Sequence, residues 1–155
     1  MDRELEAALS KAIGALQRRE RTTVELHAWL TERGVSEALA EEVIAELVEV
    51  GELDDERFAH AFAQDKRDLS GWGAERIEAA LFDRGLGRAL AERAAAEPRD
   101  DELTRATELA RSRGEDLGDD RARARVLSFL TRRGFEYELA YDAIRDAARP
   151  GSQAA

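Results

Sequence analysis

The chain has 155 residues, no cysteine and a formal net charge of −10, with 43% hydrophobic and 37% charged residues. That composition excludes disulfides, thiolate zinc sites and cysteine nucleophiles, and it allows a thin apolar core rather than a thick one. Only Pro98 and Pro150 interrupt a chain dominated by the helix formers Ala, Leu, Glu and Arg, so the expected class is all-α.

In chain order, Leu9, Ala12, Ile13 and Leu16 form an apolar stripe that predicts a helix over 4–19. Thr22 with Glu25 has the spacing of a capping box and opens a helix over 22–33, with Leu26 and Leu30 on its inner face and Arg33-Gly34 as its stop. Ser36 caps a helix over 36–50 that carries Leu39, Val43, Ile44 and Leu47 and ends at Gly51. Asp54 caps the next, over 54–69, with Phe58, Ala61 and Phe62. Beyond Gly71-Trp72-Gly73, Ile77 and Leu81 mark a helix over 73–84 that stops at Arg84-Gly85, and Leu90 one over 87–97 that ends before Pro98. Leu103, Ala106, Leu109 and Ala110 predict 100–113, closed by Gly114; Val126 and Leu130 predict 119–133, closed by Arg133-Gly134; Leu139, Ala143 and Ile144 predict 136–148.

Three of these segments align without gaps: Glu25 to Val35, Arg76 to Leu86 and Arg125 to Phe135. Each pairs apolar residues four apart and ends on Arg-Gly followed by an apolar residue, at a period of about 50 residues. The stop is physical: Gly takes the left-handed conformation past the last turn, and Arg complements the negative end of the helix dipole. Val35, Leu86 and Phe135 are then placed to pack back on the helix just left. The expected architecture is three tandem three-helix repeats, over 1–50, 51–98 and 99–149, forming an elongated, curved helical array, with 150–155 as a disordered tail.

With that pattern in place, Gly51-Glu-Leu-Asp-Asp-Glu-Arg-Phe-Ala59, Gly71-Trp-Gly-Ala-Glu-Arg-Ile77 and Arg132-Arg-Gly-Phe135 resemble, in order and spacing, the turns of the RecX family, and the resemblance spans roughly residues 5 to 148. It implies a regulator that lies along the groove of the RecA nucleoprotein filament, limits its ATP hydrolysis and strand exchange, and acts in recombination, DNA repair and the SOS response to DNA damage. The acidic net charge points to contacts with the filament protein, or with DNA held in it, and to weak or no direct binding of bare DNA. A helix-turn-helix transcription regulator and a helical scaffold unrelated to DNA are the alternatives.

Candidate contact residues follow from where positive charge collects. The C-terminal third, from Asp101, is Arg-rich and nearly neutral. Arg121, Arg123 and Arg125 stand near a helix start, where cations are disfavoured, which makes them and the following Arg132 and Arg133 candidates for a partner surface. Basic pairs also recur at the end of the first helix of each repeat: Arg18 and Arg19, Lys66 and Arg67, Arg111 and Arg113. These are equally what the helix dipole favours in any last turn. Trp72, in a loop between two glycines, either anchors a partner or covers the edge of a repeat.

Asp54, Asp55 and Glu56 look like N-terminal capping rather than a cation site. His27 and His60 lie in different repeats with no companion ligands. No catalytic motif or phosphate-binding Gly-rich loop is present, so no cofactor, metal or enzymatic activity is expected. The start Met1-Asp2-Arg3-Glu4 is not that of a signal peptide, and no run suits a bilayer, so the chain is expected to be cytoplasmic, away from membranes, and monomeric when free.

Overall fold

The computed structural model describes residues 2–150; most of the expected tail lies outside them. Among the described residues the regular structure is entirely helical: α1 Asp2–Arg18, α2 Thr23–Glu32, α3 Glu37–Glu49, α4 Asp55–Asp65, α5 Ala74–Asp83, α6 Arg88–Ala95, α7 Arg99–Ser112, α8 Asp120–Arg132 and α9 Tyr137–Ala147. Helices of eight to seventeen residues are marginal alone in water, so packing must hold them. It does so in triplets, since the closest helix–helix packings fall within α1–α3, α4–α6 and α7–α9.

Each triplet has its own apolar cluster. Ala12, Ala15, Leu26, Leu30, Ala40 and Val43 are fully buried in the first. Ala59, Ala63, Ile77, Leu81 and Ala91 fill the second, and Ala106, Val126, Leu130, Phe135 and Ala140 the third. Small alanines on the first and third helix of each unit let the backbones approach, while the paired residues of the middle helix, Leu26/Leu30, Ile77/Leu81 and Val126/Leu130, supply the bulk.

The expected stops form as anticipated. Gly34, Gly85 and Gly134 have φ of 85°, 91° and 96°. The amides of Val35, Leu86 and Phe135 turn back to the carbonyls of Leu30, Leu81 and Leu130. Thr22 and Glu25 make the full capping box, and Ser36 and Asp54 cap α3 and α4.

One stretch departs from expectation. The helix anticipated over 54–69 is α-helical only to Asp65 and widens into a π-helical turn over Lys66–Ser70, closed by Gly71 at φ 65°. Apolar spacing at Phe58 and Phe62 is the same in either geometry, so periodicity does not distinguish them. The wider turn swings Leu69 outward, to 84% exposure, and directs Arg67 to the C-terminus of α6, where it donates to the carbonyls of Ala94, Ala95 and Ala96. Those carbonyls need a partner because α6 ends at Ala95, two residues short of the expected span.

The triplets are joined by one construction used twice. The start of a middle helix docks on the Arg-Gly stop of the next unit, and an acid from the next unit's first helix caps the new amide. At the first joint the Thr22 hydroxyl donates to the Arg84 carbonyl at 2.8 Å, and Asp55 accepts the Thr23 amide at 2.9 Å. At the second, the Gly73 amide donates to the Arg133 carbonyl at 2.8 Å, and Glu102 accepts the Ala74 amide at 2.8 Å.

The two joints differ in chemistry. Glu25 of the capping box also receives the Arg84 guanidinium at 2.6 and 2.9 Å, so the first joint is an ion pair between half-buried groups. At the second the stop itself is met without an ion pair: Gly73 and Gly134 bring two backbones together so closely that a Cβ on Gly73 would lie 2.5 Å from the Gly134 carbonyl, and the ionic contact between the units, Arg105 with Glu97, lies beside it.

Burial by itself would raise the Glu25 carboxyl, but the hydrogen bonds from Arg84 and the Thr22 amide outweigh it and hold the group below the ordinary glutamate range. A carboxylate whose folded pKa is depressed contributes stability that is complete above its unfolded pKa and disappears as pH falls through the folded one. At Glu102 burial raises the carboxyl despite the Ala74 amide, so acid relieves a penalty there. Acidification is therefore expected to weaken the Glu25–Arg84 contact of the first joint and to relieve the penalty at Glu102 in the second. In a Glu25→Gln variant the denaturant midpoint should be lower at neutral pH and should fall less steeply in acid than that of the parent; parallel curves would show that Glu25 does not carry the acid sensitivity.

Candidate partner-binding face

The middle helix of the third triplet is longer at its start than its two counterparts. Counting back from the Arg-Gly stop, Thr22 and Gly73, which cap α2 and α5, correspond to Ala122, which lies inside α8. The added turn, capped by Asp119, carries Arg121. Arg121, Arg125 and Arg132 are spaced by four and seven residues, so they share one side of α8, and all three are exposed. Arg125 pairs with Glu115 at 2.7 Å, a carboxylate it shares with Arg113 at 3.6 Å. Among the described residues no carboxylate lies within ion-pair distance of Arg121 or Arg132, and Arg123 is turned partly inward.

This side of α8 runs into the second joint, where a cleft of about 750 Å³ is lined by Leu69, Trp72, Arg76, Phe129, Arg132 and Arg133. Arg76 reaches the Arg132 carbonyl at 3.4 Å and lies 4.0 Å from the centre of the Trp72 ring. Arg133 donates to the Ser70 carbonyl at 2.6 Å and lies against Phe129. Trp72 itself is half-buried on the second core, edge-on to Phe62 and with Lys66 4.7 Å from its ring centre. The outcome is an aliphatic knob, Leu69, among guanidinium groups held in place by backbone carbonyls and aromatic rings.

The remaining candidates have separate local settings. Arg18 and Arg19 are exposed at the end of α1, with Arg18 near the Trp29 ring. Lys66 and Arg67 are half-buried in the π turn, Arg111 is half-buried on α7, and Arg113 is exposed and lies 4.6 Å from the centre of the Phe129 ring. Asp54 and Asp55 are engaged as helix caps, Asp55 across the first joint.

Leu69, Arg76 and Arg105 escape a reading of the sequence alone. Leu69 falls on an apparently continuous helix, and Arg76 and Arg105 acquire their places only when the second and third triplets meet, where Arg105 binds Glu97 and the Trp72 carbonyl. The one available signal was positional: Arg76 stands in its unit where Glu25 stands in the first.

Comparison with known proteins decides the family. Residues 8–47 match the description "RecX, first three-helix domain" and residues 54–94 "RecX, second three-helix domain", together more than half of the chain. The chain belongs to the RecX family. It is 32% identical over 149 residues to the "Regulatory protein RecX" of Mycolicibacterium vanbaalenii, covering 90% of this chain and 81% of that one. To its namesake in Pseudomonas putida (strain GB-1) it is 36% identical over 130 residues, covering 83% of each. The third triplet, beyond both domain descriptions, is included in the fold match to the crystal structure of RecX from Lactobacillus salivarius, with a TM-score of 0.83 at 19% identity over 95% of this chain and 98% of that one. No helix among the described residues is long and apolar enough to cross a membrane.

Proposed function

We propose that this RecX family member is a cytoplasmic regulator that binds the RecA nucleoprotein filament and restrains its ATPase, strand exchange and growth during recombination and the response to DNA damage. It acts by binding rather than catalysis, through the side of α8 and the cleft at the second joint. The free chain is a monomer with weak or no affinity for bare DNA.

The observation that carries this reading is the segregation of charge: a chain of net charge −10 gathers Arg76, Arg132 and Arg133 around an 84% exposed leucine and continues with Arg121 and Arg125 along the same side of α8. A surface that mixes guanidinium groups with an aliphatic knob suits a protein partner offering carboxylates and an apolar socket, more than a naked phosphate backbone. Tandem three-helix units also offer a surface long enough to meet successive protomers of a filament.

The direct test is the ATPase rate of RecA on single-stranded DNA as this protein is titrated in. The rate is expected to fall and saturate. A flat response, together with sedimentation of the chain with bare duplex rather than with filaments, would replace the proposal by a DNA-binding regulator.

A further inference from the structure

The first triplet carries a surface opposite in character to the α8 face. An open groove of about 350 Å³ between α2 and α3 is lined by Thr23, Val24, His27, Glu41, Ile44 and Ala45. On α3, Ala40, Val43 and Leu47 are buried in the core. A second apolar stripe, Ile44, Ala45 and Val48, lies at and beyond the edge of that core. Val24 is 54% exposed and Val48 49%, so the groove has apolar walls with nothing packed on them. Around these walls α3 carries Glu37, Glu41, Glu42, Glu46 and Glu49 and no cationic residue. All five are exposed, and none has a cation within ion-pair distance among the described residues.

Local structure does not account for that distribution. Glu46 and Glu49 stand in the last turn of α3, where the helix dipole disfavours negative charge. The dipole equally disfavours Arg121 and Arg123 in the first turn of α8. Two helices of one chain thus carry charges of opposite sign that their own ends oppose, and contact between the two surfaces offsets both costs. Their apolar parts match as well. The α8 side and its cleft present Arg76, Arg121 and Arg132 beside the 84% exposed Leu69, a knob among cations, and the α2–α3 groove is a socket among carboxylates. Within one chain they do not meet, since Leu69 and the groove walls are both exposed.

We propose that a second copy of this chain docks its Leu69 knob and neighbouring arginines on the α2–α3 groove. The two surfaces differ, so the contact is heterologous: each copy in a pair still has one socket or one knob free, and rows can grow without closing. One aliphatic side chain and a few exposed ion pairs make a weak contact, so the free chain is monomeric when dilute and associates as it is concentrated. The contact does not rest on the filament reading, but it occupies the same arginines, so self-association and filament binding exclude each other.

The test is sedimentation velocity of the full chain without RecA, from about 10 μM to about 1 mM protein, in about 50 mM and about 500 mM chloride. At low salt the mean mass is expected to rise with concentration past that of a dimer, and high salt should return it to the monomer. Two exposed positions give variants that leave the core untouched: Leu69→Glu spoils the knob, and Ala45→Arg fills the socket with a like charge. Each alone should weaken association by about tenfold or more. Mixed together they should form a one-to-one dimer and nothing larger, because one retains the socket and the other the knob. A parent that stays monomeric throughout, a dimer indifferent to both variants, or a mixture that does not pair would each overturn the proposal. So would a monomeric parent whose His27 resonances shift saturably with a helical lysine–leucine peptide, since the socket would then belong to a different cationic partner.

Discussion

Alanine at Gly134 is expected to destabilise the chain by about 2–4 kcal/mol, whereas alanine at Gly34, its counterpart in the first repeat, should cost only about 1 kcal/mol. Both glycines have positive φ, 96° and 85°, so both substitutions carry the strain of a left-handed L-residue. Only Gly134 stands at a joint. Its Cβ would overlap Cβ of Arg76 and lie 2.6 Å from the Arg76 backbone nitrogen, while nothing comes within 4 Å of a Cβ on Gly34. Gly73→Ala separates the two causes, because Gly73 has an ordinary φ of −82° and yet faces the Gly134 backbone at 2.5 Å. It should lose about 1–3 kcal/mol from crowding alone. Denaturant midpoints at unchanged slope measure all three, and equal losses at Gly34 and Gly134 would show that the joint contributes nothing.

Replacing Arg121, Arg125 and Arg132 together with alanine is expected to weaken co-sedimentation with RecA filaments by about 10- to 100-fold, with the far-ultraviolet circular dichroism unchanged. All three side chains are exposed on one side of α8, away from the buried Val126 and Leu130, so removing them takes nothing from the core. The residual binding should depend less on salt, since the screened charge pairs are gone. A control triple at Arg3, Arg57 and Arg88, also exposed but outside the α8 face, should bind as the parent does. Equal losses in the two triples would mean that total charge matters and position does not. No loss in either would place the partner elsewhere on the molecule.

What could be read from the sequence depended on how local the physics was. The Arg-Gly stops were legible because a left-handed residue at a helix end is a single-residue requirement, and the Thr22/Glu25 box because its two hydrogen bonds span three residues. The period of the repeat followed from these signals, and with it all nine helices among the described residues. The π turn over Lys66–Ser70 was not legible, because apolar spacing upstream is blind to how the following carbonyls are paired. The joints were invisible for a different reason: Thr22 meets Arg84, and Gly73 meets Arg133, across about 60 residues of chain, and nothing local marks those residues as neighbours. Much of the candidate face depends on that second meeting. Arg121 and Arg125 were nominated by helix electrostatics and Arg132 by following them on the same helix, whereas Leu69 and Arg76 required the fold.

The unlike chemistry of the two joints gives the molecule an uneven response to solution conditions. A contact made by guanidinium and carboxylate side chains has several rotatable bonds on either side, and it softens as salt or acid rises. A contact between two glycine backbones has no such slack, and its geometry is insensitive to ionic conditions. Salt and acid therefore reach the first joint at the stop itself, through Glu25 and Arg84, whereas at the second the stop is met by glycine backbone and the ionic contact, Arg105 with Glu97, lies beside it.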